Sequence, residues 1–85
     1  MYFELQPNGN QKSFYGKAVV NVRANGLIVL YSYNTPVCAI DKSGAFVRLW
    51  SGWSATTAKH VNAFRDLYGI SAISKNEWLK EVVKK

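Results

Sequence analysis

The chain has 85 residues, of which 48% are hydrophobic and 14% aromatic, and eleven Lys and Arg against five Asp and Glu give it a net charge of +6. A chain of this length buries only about 60–65% of its unfolded surface, which excludes two separate cores and makes residues 1–85 one small domain. The single cysteine, Cys38, excludes an internal disulfide, and the longest apolar run, residues 27–31, is far short of the ~20 residues of a membrane helix.

Residues 1–6 alternate weakly and are followed by the turn cluster Pro7, Asn8, Gly9 and Asn10, so a short edge strand and a polar loop through Ser13 are expected. Over residues 17–23, Ala18, Val20 and Val22 alternate with Val19, Asn21 and Arg23 as a half-buried strand does. Asn25-Gly26 follows at once, the strongest short hairpin signal. Residues 27–33 are apolar on both alternating sets, which suits the middle of a sheet. Asn34-Thr35-Pro36 is expected to interrupt the ladder, because proline has no N–H to donate, and residues 37–41 resume it. Lys42-Ser43-Gly44 makes a second tight turn before the alternation of residues 45–50.

The remainder reads as helix. Ser54 stands where its hydroxyl can cap a first turn whose third residue is Thr57. From there Thr57, Val61, Phe64 and Tyr68 recur at helical spacing beside His60 and Leu67, with Lys59, Asn62, Arg65 and Asp66 opposite, and Gly69 ends the run. Ser74 and Glu77 form a capping box with Ile73 and Trp78 placed as its staple. A second helix is therefore predicted from about Lys75 toward Val83, with the stripe Trp78, Leu79, Val82 and Val83. The fold class expected is α+β: a four- to five-stranded antiparallel sheet of two hairpins, then two helices on one face, with a small barrel as the alternative.

Catalysis finds no support. One His, one Cys and five scattered carboxylates offer no metal-ligand spacing and no carboxylate pair, so no enzyme, metal or cofactor is expected. Cys38 lies in an apolar strand and reads as a core residue, not as the partner of His60 in a thiol dyad. Two groups of residues suit binding. Ser54, Thr56, Thr57 and His60, with Lys59 beside them, surround the unpaired N–H groups of a helix start, where an anion can dock or where the same side chains simply complete the helix end. Phe46, Arg48 and Trp50 share one side of a strand, with Tyr31 and Tyr33 as candidates to join them. If solvent-exposed, that face can stack bases and neutralise phosphates; if covered by the helices, it is core.

The stretches SYNTPVCAI, residues 32–40, and SATTAKHVNAF, residues 54–64, resemble a family of small, largely uncharacterised proteins of phages and bacterial mobile elements. Its pattern is a Ser-Tyr-x-Thr-x-Val strand, a Tyr- or Trp-rich segment, and Ser-x-Thr-Thr-x-x-His leading a helix, which this chain follows from Tyr31 to about Trp78. The resemblance implies an origin and no activity. The expectation is a cytoplasmic, non-enzymatic binding module in a bacterial host cell, with no leader or membrane segment. Its positive charge favours nucleic acid as the partner. The alternative is a protein that binds a host protein or a second copy of itself through its aromatic residues.

Overall fold

A computed structural model of the chain describes residues 1–6, 14, 16–81 and 83. The turn cluster expected at residues 7–10, the loop through Ser13 and the stripe residue Val82 lie outside them. Five strands, β1 (Tyr2–Glu4), β2 (Ala18–Val22), β3 (Ile28–Ser32), β4 (Thr35–Ile40) and β5 (Phe46–Arg48), precede two helices, α1 (Ala55–Leu67) and α2 (Lys75–Lys80). The strands form one antiparallel sheet in chain order, with β3 in the middle and β1 and β5 at the edges. The architecture is thus α+β with an open sheet.

Two of the three turns are built alike. Gly26 N–H donates to the Arg23 carbonyl while Arg23 N–H donates to that of Leu27, and the same pair of bonds joins Gly44 to Asp41 and Asp41 to Ala45. Each is a three-residue loop whose last residue sits at positive φ, +90° for Gly26 and +89° for Gly44, a region glycine enters without penalty. Gly26 has a second reason to be glycine: a Cβ there would come within 2.8 Å of the Lys42 Cβ.

The third turn corrects an expectation. Asn34-Thr35-Pro36 does not interrupt the sheet: Ser32 pairs with Thr35, and the two residues between them, Tyr33 and Asn34, turn the chain at φ +51° and +67°. Pro36 is tolerated inside β4 because the register slips between Leu30 and Tyr31, so that Tyr31 faces Pro36 while Leu30 faces Cys38. At such an irregularity the missing N–H costs little. The sheet is therefore a continuous meander and not two separate hairpins.

Directly paired residues share a sheet face. The row Val20, Leu30, Cys38 and Arg48 lies on the helix side, and all four are buried. Onto it pack Val61, Ala63 and Phe64 from α1, Ile73, and Trp78 from α2. Ile73 and Trp78 are both buried, as a hydrophobic staple requires, and the Ser74–Glu77 capping box is present in both directions. Its hydrogen bonds from Ser74 hold the Glu77 carboxyl below its ordinary value. Two positions depart from the predicted stripes. Leu67 and Leu79 are 53% and 48% exposed, since α2 ends at Lys80, one turn short of the predicted end, and buries only Trp78.

Candidate functional site

The residues expected to form an exposed basic and aromatic strand face are covered. Arg48 is 5% exposed and donates from Nε to the Trp50 carbonyl (2.9 Å), from Nη1 to the Glu81 carbonyl (3.0 Å) and from Nη2 to the Ser51 carbonyl. Its guanidinium also lies 5.2 Å from the Trp78 ring. Phe46 pairs with Ile40 on the helix side, and both it and Trp50 pack against the core. The guanidinium therefore ties β5 and the following loop to the end of α2. Tyr31 belongs to the opposite sheet face, where its hydroxyl accepts from Arg23 Nη2 at 2.9 Å.

The residues of the helix start divide by depth. Ser54 caps α1 by accepting from Thr57 N–H at 3.1 Å, a bond worth about 0.5–2 kcal/mol. Thr56 and Lys59 are exposed, whereas Thr57 and His60 are 5% and 2% exposed. Thr57 Oγ1 and His60 Nδ1 both meet Ser32 Oγ, at 3.2 and 2.8 Å. Either atom of the Ser32–His60 pair can donate, depending on the imidazole tautomer. Phe14 closes over the ring edge-on at 4.5 Å. The expected lock between this motif and the Trp50 to Trp53 loop is thus made to another element: Thr57 and His60 fasten α1 to the end of β3. Ser32 was not singled out in the sequence because its partners lie 25 and 28 residues away.

Burial lowers the His60 pKa from its ordinary 6.5. In the unfolded chain the imidazole takes up a proton as the pH falls through that value, while in the folded chain it stays neutral to lower pH. The stabilisation is then complete above pH 6.5 and is lost as the pH falls toward the folded value, with a slope of at most about 1.4 kcal/mol per pH unit for one proton. Urea midpoints measured from about pH 7.5 to 5.5 should fall in the native chain and fall less in His60→Gln.

One exposed aromatic group remains beside this lock. Tyr33, 51% exposed at the β3–β4 turn, lies 5.7 Å from the His60 ring, and the Lys17 ammonium sits 5.3 Å from its centroid. Tyr33 N–H donates to the Lys17 carbonyl, which holds the two residues together. Thr56, one turn before His60, and Lys59, the residue preceding it, lie on the neighbouring surface of α1. The structure thus brings Tyr33 and Lys17 to the helix motif and separates them from Phe46, Arg48 and Trp50. Lys17 carried no motif in the sequence, and Tyr33 was assigned to a strand.

Nothing in the described residues resembles a reaction centre. Cys38 is fully buried, its thiol pushed up by that burial and only partly relieved by the charge of Arg65. Among the described residues no three His, Cys, Asp or Glu side chains converge on a point, and no helix is long and apolar enough to cross a membrane.

A family model described as a family of unknown function, DUF8033, matches residues 3–80, and the chain belongs to that family. No curated protein and no solved structure matches it.

Proposed function

We propose that the chain is a small non-enzymatic module that binds single-stranded nucleic acid, with Tyr33 as the stacking platform and Lys17, Lys59 and Thr56 as contacts to the backbone. The observation that carries this reading is the conformation of Tyr33. Both central positions of a two-residue hairpin at positive φ favour Asn, Asp or Gly, and a bulky residue in the left-handed region costs roughly 1–2 kcal/mol. Here an aromatic residue occupies the first of them at φ +51° with half of its surface in solvent and a cation over its ring. A strained, exposed aromatic group is a reasonable sign of use. The net charge of +6 supports a polyanionic partner, and the likeness to small phage and mobile-element proteins supports a bacterial, phage-related setting.

Fluorescence anisotropy with a labelled oligothymidylate tests it. Binding should weaken with added salt, and Tyr33→Asn should reduce affinity roughly 5- to 150-fold, the equivalent of about 1–3 kcal/mol for one stacked base. The same variant suits the turn, so its melting temperature should stay level or rise. Absence of binding to single- and double-stranded oligonucleotides at high micromolar protein would discard the proposal. So would unchanged affinity in Tyr33→Asn.

A further inference from the structure

The two edges of the sheet are finished differently. At β5, Arg48 forms a parallel bridge to Val83, so the C-terminal segment covers that edge. At β1, Met1, Phe3 and Leu5 direct their main-chain groups toward β2: Met1 exchanges bonds with Val22, and Leu5 N–H donates to Ala18. By the alternation of an antiparallel ladder, the N–H and C=O groups of Tyr2 and Glu4 point outward. Among the described residues nothing pairs with them.

Beside this edge lies a groove of about 240 Å³, lined by Phe3, Leu5, Ala63 and Leu67 with Glu4, Gln6 and Asp66. Three large hydrophobic residues that the fold leaves exposed, Met1, Tyr2 and Leu67, gather at the same end of the sheet. Phe3 and Leu5 are on the helix side of β1, so a strand added along Tyr2 and Glu4 would aim its own helix-side residue at the groove. The charge at the groove is opposite to that of the chain. Two of the five carboxylates line it, and none of the eleven Lys and Arg does.

We infer that the outer edge of β1 and this groove form a docking site for an extended segment of another protein, which adds as a sixth strand and places an aliphatic side chain, flanked by Lys or Arg, between β1 and α1. Main-chain bonds to Tyr2 and Glu4 supply the attachment, the groove selects an apolar side chain, and Glu4 and Asp66 select basic neighbours. Nucleic acid is disfavoured here by the same two carboxylates. The shortness of β1, three residues, limits edge-to-edge association of the free protein.

A display library of random seven-residue peptides, panned against the full chain, provides the probe. The enriched peptides should carry an aliphatic residue between Lys or Arg. Titration of a synthetic copy should slow amide exchange at Tyr2 and Glu4. Asp66→Lys, on an exposed position outside the core, should weaken that peptide by about tenfold, the equivalent of roughly 1.4 kcal/mol, with an unchanged melting temperature, and Tyr33→Asn should leave it untouched. Failure to enrich any peptide overturns the inference, as does enrichment of acidic peptides or full affinity in Asp66→Lys. Concentration-dependent protection of Tyr2 and Glu4 without peptide, with a dimer in sedimentation, would assign the edge to a second copy instead.

Discussion

Replacing Trp78 by alanine should cost about 3–5 kcal/mol, the range for removing a fully buried large aromatic side chain. A domain of this length has roughly 4–13 kcal/mol of stability in all, so the variant should be marginal at room temperature and melt at least about 12 °C lower. The size of the effect follows from what meets at this ring. Trp78 is the only buried residue of α2, and its indole N–H donates to the Gly52 carbonyl at 2.7 Å. Trp53 and Phe46 lie 6.0 and 6.2 Å away, and the Arg48 guanidinium stacks on it. Without the ring, α2 keeps its capping box but loses its hold on the sheet, and six residues do not form a stable helix alone. Leu79→Ala, one residue along and half exposed, should change stability by less than about 0.5 kcal/mol. Urea denaturation of the two variants side by side checks both values.

Arg48→Met should cost about 2–4 kcal/mol. Three charge-assisted bonds to carbonyls are each worth about 1.5–3 kcal/mol, and against them stands the desolvation of the guanidinium, several kcal/mol, which methionine removes. Ser51 and Glu81 are exposed residues whose carbonyls can turn to water, which trims the loss further. Arg48→Lys should recover little of it, because one ammonium cannot reach three carbonyls that the planar fork reaches together. Were Arg48 instead a phosphate contact, oligonucleotide affinity would fall in Arg48→Met while the urea midpoint stayed in place.

The local features of this fold were legible because their cause lies within a few residues. Ser54 and Ser74 cap helices through bonds three residues away, and the Asn25-Gly26 and Lys42-Ser43-Gly44 turns are written in the residues that form them. What the sequence concealed depends on distant partners. Arg48 on an alternating strand reads equally well as exposed or buried, and the carbonyl that decides between them belongs to Glu81, 33 residues on. His60 and Thr57 read as a helix-start motif until Ser32 is brought across from β3. Pro36 was taken for a break because the slipped register that admits it is a property of the β3–β4 pair, not of β4. The Tyr33-Asn34 turn escaped for a related reason: its first residue is one that such turns disfavour, and that mismatch is what now marks Tyr33 for function.

The central claim is a division of labour: the buried Arg48, Thr57 and His60 hold the fold together, while the exposed Tyr33 beside Lys17 binds. The most direct test is the affinity of His60→Gln for the oligothymidylate that the native chain binds, measured well below the variant's melting temperature. The account predicts a lowered melting temperature with affinity within about twofold of native, because the ring lies beneath Tyr33 and reaches no ligand. A steep loss of affinity at a native melting temperature would contradict it and make the helix start, not Tyr33, the binding site.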